Sequence, residues 1–367
     1  MYGLRMLLRG KHPIHGLPFP GPVPNRLREE WEAMPRRDRS RRLRKVFQRD
    51  LAILATGQAG LCVERVPLAA RKVLWLYNWT TLGDSIMDLA ARFSVPGQIQ
   101  LDLCITPALA ALYAADARFA NVYTRVDDCP QDFDFVLLHE LSTHSLRDKR
   151  RRFRRVPFAP MLNYIIGEQF DRAAFADARL RHLFGQPGAA APTPALHLGA
   201  SPARPANRFD IALALGARDP RRRFPHWNAA LLAILRLWPA GRPVPRFRLL
   251  GSDNAADDLA SLSHGLLAGY AENLVGRTSL IDAAHVVRDC DAFLGTDGGL
   301  MHVATALGKP GLALFAGIEP GLRLPAGASL RSLFAQRAMA DHSAAAIAEA
   351  FVAACAAVLP ATPLRRE

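Results

Sequence analysis

Short apolar segments alternate with amphipathic ones along two stretches of the chain. Lys72–Tyr77 (KVLWLY) is a run of strand length, Asp84–Phe93 has helical spacing, and Ile99–Ile105 reads as a strand. Pro107–Ala114 follows as a helix opened by proline in its first turn. Phe119–Thr124 and Phe133–Leu138 are two more apolar runs. Runs without in/out alternation suit parallel strands buried on both faces, and the strand–helix order implies a parallel sheet covered by helices. A linker rich in Ala, Pro and Gly, His182–Ala206, precedes the second stretch. There, strands are expected at Phe209–Leu215, Phe247–Leu250, Leu274–Val275, Ala292–Gly295 and Gly311–Phe315. Helices are expected at Trp227–Trp238, about Ala255–Leu267, Ser279–Arg288, Leu300–Ala306 and Ser343–Val358.

Residues 1–71 stand ahead of this alternation. The first 25 are rich in Pro and Gly and read as irregular. From Arg26 to Gly57 apolar residues recur at helical spacing (Leu27, Trp31, Met34, then Leu43, Phe47, Leu51, Leu54) around the dense basic run Arg36–Lys45. A solvated helix face explains that run; contact with a membrane surface or nucleic acid is the alternative. The expected organisation is a basic, partly helical extension (1–71), a Rossmann-like domain (72–184), a linker (185–206), a second Rossmann-like domain (207–342), and a C-terminal helix and tail (343–367).

Half of the 367 residues are hydrophobic, enough for a large core. The net charge of +14 favours anionic partners, without choosing among nucleic acid, lipid and phosphorylated substrates. No apolar run reaches the roughly 18 to 20 residues that span a bilayer. The opening MYGLRMLLRGKHPIHG lacks the features of a secretory signal, so a cytoplasmic location is expected. Five scattered cysteines (Cys62, Cys104, Cys129, Cys290, Cys355) point to reduced thiols rather than a disulfide or zinc framework. His139 and His144 are five apart and do not share a helix face, so they do not form a zinc pair. The aspartates of Asp253–Asp258 lack the spacing of a calcium loop.

Candidate chemistry concentrates at GTDGGLMHVATALGKPG, residues 295–311. An apolar strand ends in Thr296-Asp297, Gly298-Gly299 make a turn, and a helix begins at Leu300, continuing through Met301 and His302. Strand, glycine turn and helix present main-chain N–H groups and a helix dipole to phosphate. Asp297 would accept hydrogen bonds from sugar hydroxyls; capping of the helix is its plainer role. Leu82-Gly83-Asp84 follows the first strand, placing Asp84 at a helix start and at a sheet's carboxyl edge, where a carboxylate can take a proton from a hydroxyl. Arg221-Arg222-Arg223-Phe224-Pro225 follows the first strand of the second domain, and a guanidinium there can grip a diphosphate.

These segments together resemble glycosyltransferase family 9, the heptosyltransferases of lipopolysaccharide synthesis. Element order carries the resemblance from about Lys72 to Phe315. The motifs that carry it are the 295–311 segment, Leu82-Gly83-Asp84 and the Gly216–Trp227 segment. The resemblance implies a GT-B type fold, two Rossmann-like domains with a central cleft, and inverting transfer of a sugar, heptose, from ADP-heptose. The acceptor would be a hydroxyl of the lipopolysaccharide core or another glycan. It implies Asp84 as the base. At the donor it places Arg222 and Arg223, the stretch Thr296, Asp297, Gly298, Gly299, Leu300, Met301 and His302, and more loosely Ser252 and Thr278. Arg147, Lys149 and Arg151 lie on the face that receives an anionic glycolipid or glycan acceptor. No metal or other cofactor is expected, because cationic side chains meet the leaving diphosphate. The implied location is cytoplasmic, with contact to the inner-membrane surface left open.

Arg222 replaces the family's lysine, and residues 1–71 precede its usual first strand. Relatives that glycosylate proteins are an alternative, although their cysteine-bound iron motif has no counterpart here. Nucleic-acid binding, a membrane-binding scaffold without activity, and a nucleotide-sugar epimerase are the other readings.

Overall fold

The structure is a computed structural model and describes residues 25–162, 168–188, 192–202, 205, 207–217 and 219–359. The expected irregular start, Arg218 and the last eight residues of the tail lie outside the described residues. The chain divides into two units, Met1–Thr80 with Met87–Thr193, and Thr81–Ile86 with Pro194–Glu367.

In the first unit, α1 (Asn25–Ala33) and α2 (Arg36–Ala55) precede a five-stranded sheet. Its strands are β1 (Lys72–Tyr77), β2 (Gln100–Ile105), β3 (Val122–Tyr123), β4 (Phe135–Glu140) and β5 (Phe158–Leu162). They lie in the order β3-β2-β1-β4-β5 and every pairing is parallel. The connecting helices are α3 (Leu82–Leu89), which straddles the division, α4 (Pro107–Tyr113), α5 (Thr143–Arg152) and α6 (Arg172–Phe184). After β1 begins, each of its residues is buried, as a strand covered on both faces requires.

Residues 36–71 are no loose appendage. Val46, Asp50 and Ile53 of α2 are buried, and Ile53 joins the core of Leu74, Val136 and Phe158. Cys62 bridges to Phe158, and Val66 N–H donates to Leu183 O. Val46 and Ile53 face inward beside Asp50, and Leu61 and Val63 exchange backbone hydrogen bonds with Phe158 at the edge of β5, so this segment packs onto the sheet.

The second unit holds a six-stranded, all-parallel sheet. Its strands are β6 (Arg208–Ala214), β7 (Val244–Leu250), β8 (Ala271–Asn273), β9 (Ala292–Thr296), β10 (Gly311–Ala316) and β11 (Leu330–Ala335). They are connected and followed by α7 (Trp227–Leu237), α8 (Ala256–Ala260), α9 (His264–Tyr270), α10 (Leu280–Asp289), α11 (Gly299–Ala306) and α12 (Ala344–Cys355). The expected helix over Ala255–Leu267 is two short ones, broken near Ser261–Ser263. The expected strand at Leu274–Val275 forms slightly earlier, at Ala271–Asn273.

The strand order β8-β7-β6-β9-β10-β11 is the doubly wound arrangement in which the chain winds outward through β7 and β8, then returns across β6 to β9. Part of the expected linker is docked on this unit. Leu196 N–H donates to Ala306 O, Arg288 reaches Leu198 O, and Ser201 donates to Asp289.

Candidate functional site

Because every strand of the second sheet is parallel, the loops after β6, β7, β8 and β9 share its carboxyl edge. β6 and β9 are neighbours, with Ala214 opposite Gly295, and their following loops diverge, the position where open sheets bind ligands. The 3₁₀ turn Pro220–Arg222 comes from one side, and the turn Asp297-Gly298 from the other.

The three consecutive arginines meet three different sets of carboxylates. Arg221 pairs with Asp219, whose carboxyl the Arg221 hydrogen bonds hold down at about 2. Arg223, expected at the diphosphate, instead binds Asp257 and the buried Asp258, both at 3.1 Å. The other Asp258 oxygen accepts the Gly216 N–H at 2.8 Å, so Arg223 helps to fix the loop after β6. Arg222 faces the glycine turn: its Nη1 lies 3.5 Å from Asp297 Oδ2.

Asp297 is 5% exposed, and its own N–H is taken by Leu314 O. Gly298, which follows it, stands at the N-cap position of α11. The His302 ring lies 3.9 Å from the other Asp297 oxygen. Gly298, Gly299 and Leu300 are half-buried, and the first-turn N–H groups of Gly299 and Leu300 have no acceptor within the helix. The expected contact stretch therefore narrows. Met301 and His302 are buried and their N–H groups turn back to Gly298 O, while Thr296 is buried in β9. These three serve the turn through packing rather than through open amides.

The Leu82-Gly83-Asp84 segment sits on this turn. A Cβ on Gly299 would lie 2.9 Å from Leu82 Cδ2, and a Cβ on Gly83 would lie 2.5 Å from His302 Cδ2. Two glycines thus allow backbone-close packing of one motif on the other. Asp84, half-buried in the first turn of α3, follows directly. Ser252 and Thr278 sit on neighbouring loops of the same edge. Ser252 is exposed and bonds Asn254 Oδ1, and Thr278 precedes the Ser279 cap of α10. Gly276 N–H donates to Gly251 O, tying these two loops together.

In the first unit, sequence reasoning missed a buried polar cluster at the carboxyl ends of β1 and β4. Asp88 is bound by Arg172 at 2.6 and 2.9 Å and by the Tyr77 hydroxyl at 3.0 Å, with His139 at 3.1 Å. Burial opposes ionisation of Asp88, but Arg172 and His139 outweigh it and hold the carboxyl at about 2. Arg172 also stacks over Trp79, whose indole N–H binds Glu140. His139 belongs to this cluster from within β4, and His144 lies in α5.

Of the expected acceptor residues, Arg147 and Arg151 are exposed on α5, Arg151 paired with Asp127. Lys149 is not available. It is fully buried, its ammonium donates to Gln58 at 2.6 Å, and burial lowers its pKa to about 8. The helix turns this position inward, under α2. A cavity of about 190 Å³ opens beside α5 at the ends of β1 and β2, lined by Asn78, Thr106, His144 and Asp148 among others. Asn78 Oδ1 and Thr106 Oγ1 are buried there without a hydrogen-bond partner among the described residues.

Residues 184–352 match the model of glycosyltransferase family 9 (heptosyltransferase), so the resemblance read from the motifs holds over this stretch. The chain is 31% identical to the lipooligosaccharide heptosyltransferase 2 of Haemophilus influenzae over 101 residues, 28% of this chain and 29% of that one. The chain thus spans under a third of that relative's length. Among solved structures it is similar to a family 9 glycosyltransferase from Veillonella parvula, with TM-score 0.63 at 12% identity, covering 78% of this chain and 97% of that one. It is also similar to E. coli ADP-heptose lipopolysaccharide heptosyltransferase II, with TM-score 0.59 at 18% identity, covering 76% and 96%. These likenesses show the fold, two Rossmann-like parallel sheets of the GT-B type.

Proposed function

We propose that the chain is an inverting glycosyltransferase that moves a sugar from a nucleotide diphosphate donor to a hydroxyl. The observation that carries the reading is the pairing of Arg222 with Asp297 beside the half-open Gly298–Leu300 turn, at the switch point of the second sheet. The turn's N–H groups and the Arg222 guanidinium bind the diphosphate, and both are poised for the charge that develops as it leaves. Asp297 orients the sugar through its hydroxyls. Asp84 takes the proton of the attacking hydroxyl, and the acceptor oxygen displaces the nucleotide diphosphate in one step. On this reading the cationic side chain and the helix N-terminus meet the leaving group, and no metal is needed.

The donor is ADP-heptose, a choice supported by the ADP-heptose named for the E. coli relative. The acceptor is a hydroxyl of the lipopolysaccharide core or a similar anionic glycan, whose charge the exposed Arg147 and Arg151 of the first unit would suit. The cavity with unpartnered Asn78 and Thr106 oxygens offers sites for sugar hydroxyls.

The test is a thermal-shift panel of ADP-, UDP- and GDP-sugars on the wild type and Asp297→Ala. ADP-sugars should stabilise the wild type and not the variant. If no nucleotide sugar stabilises the wild type, the donor site is wrong. Asp84→Asn should retain donor binding and lose transfer by at least roughly a hundredfold; full transfer would remove Asp84 from the base role.

A further inference from the structure

Among the described residues, helix α2 buries one face, against the sheet. Val46, Asp50 and Ile53 are buried, and the arc beside them carries Leu43, Phe47, Leu51 and Leu54. Phe47 is 51% exposed, Leu51 63% and Leu54 42%, an unusual concentration of bare apolar side chains on one helix. Leu43, Phe47 and Leu51 form an apolar groove with the stems of Arg44 and Gln48. At 100° per residue, Arg37, Arg41, Arg44 and Lys45 follow that stripe on the solvent side. All four are exposed. Across Arg36–Ala55 eight residues are basic and two acidic, and one of the acidic pair, Asp50, is buried. The exposed arginines Arg147 and Arg151 extend the positive charge on α5, which packs against α2.

We propose that this side of α2 docks on an anionic phospholipid bilayer, with Phe47, Leu51 and Leu54 entering the acyl boundary and Arg37, Arg41, Arg44 and Lys45 at the headgroups. Charge complementarity selects this occupant. A second copy of the chain would bring the same positive face. Residues 1–24 would bring Arg5, Arg9 and Lys11 and no Asp or Glu. Nucleic acid would satisfy the arginines and leave the apolar stripe in water. A bilayer surface takes both at once, as amphipathic basic helices do. No helix among the described residues is long and apolar enough to cross a membrane, so the contact is with the surface.

The test is co-sedimentation of the full chain with phosphatidylcholine vesicles, with and without phosphatidylglycerol. The wild type should bind only the anionic vesicles, and less as salt is raised. Phe47→Ser with Leu51→Ser should weaken binding roughly three- to tenfold per residue. Arg37→Gln, Arg41→Gln and Arg44→Gln should weaken it about fivefold each. These side chains are exposed, so thermal melts of all variants should match the wild type. The proposal is overturned if the wild type ignores anionic vesicles, binds neutral ones equally, or binds unchanged after the apolar substitutions. Self-association by light scattering that Phe47→Ser with Leu51→Ser abolishes, without vesicle binding, would make the face a dimer contact instead. Nucleotide-sugar stabilisation is independent of all these outcomes, so the donor reading survives or fails separately.

Discussion

The imidazole of His302 occupies the space where any side chain at position 83 would begin: a Cβ there would lie 2.5 Å from Cδ2. The glycine is thus required by packing rather than by a left-handed backbone. Gly83→Ala should cost about 1 to 3 kcal/mol by overpacking. Removing the ring in His302→Ala should cost stability by itself, because the ring is buried. The double variant should be more stable than the sum of the two predicts, since the second change clears the space for the first. Urea unfolding of the four proteins measures the coupling, and strict additivity would show that the ring does not contact Gly83.

The Asp88 cluster predicts an acid limb of stability. The carboxyl sits at about 2 in the folded protein, against an ordinary 3.8. A depressed folded value means that the stabilisation is complete above about 4 and is lost as pH falls towards 2. The amount is about 2 kcal/mol. Asp88→Asn leaves Arg172 buried without its counter-charge and should cost about 3 to 5 kcal/mol at neutral pH. Denaturant unfolding between pH 5 and 3 should therefore show wild type and Asp88→Asn converging as acid is added. Parallel curves would mean that the carboxylate is not held as described.

Lys149 differs in that folding disfavours its charged form, so its effect falls on the alkaline side. Burial lowers its pKa to about 8 from the ordinary 10.5. Between those values the unfolded chain holds a proton that the folded protein has released, so stability rises with pH across the window, by up to about 3 kcal/mol. Lys149→Met should flatten this alkaline rise. It also leaves Gln58 Oε1 without its donor, which offsets part of the gain at neutral pH. Unfolding curves at pH 7 and 10 on both proteins decide it, and an equal rise in both would assign the effect elsewhere.

The strands that form the two sheet centres were legible because parallel strands buried on both faces are written as unbroken apolar runs, as in KVLWLY and GLALFA. What the pattern missed has specific causes. β5, FAPML, contains Pro160, which reads as a break but is tolerated on a strand at the end of the hydrogen-bonded order. The helix Arg172–Phe184 buries Arg172, Asp177 and Arg179, so polar residues occupy its core positions and erase the apolar period. Arg179 spends its charge on Pro160 O, and Asp177 accepts from Ser94 and Arg181. β11, LRSLFA, is half polar because it is an edge strand. At the site, the turn and the Leu82-Gly83-Asp84 segment were legible as motifs, but their contact is not, since nothing local in sequence links Gly83 to His302. Which arginine of Arg221-Arg222-Arg223 faces the turn was likewise invisible, because it depends on Asp257 and Asp258 arriving from another loop.

That last distinction makes the sharpest test of the site, because two adjacent arginines should fail in different ways. Arg223 neutralises the buried Asp258, which also holds the Gly216 N–H. Arg223→Ala leaves that carboxylate short of a partner and should destabilise the second unit by about 1 to 3 kcal/mol. Nucleotide affinity should then change little at temperatures where the protein stays folded. Arg222, 27% exposed and 3.5 Å from Asp297, faces the proposed diphosphate. Arg222→Ala should lower nucleotide-sugar affinity by roughly ten- to a hundredfold, the loss of a charge-assisted contact, with a smaller change in stability than Arg223→Ala. Arg222→Lys should recover part of the affinity, because an ammonium keeps the charge without the planar fork. Calorimetric titration beside urea unfolding separates the two effects. If Arg223→Ala proved the weaker binder and Arg222→Ala the less stable protein, the assignment of the two guanidinium groups would be reversed, and the diphosphate would have to lie on the Asp257 side of the loop.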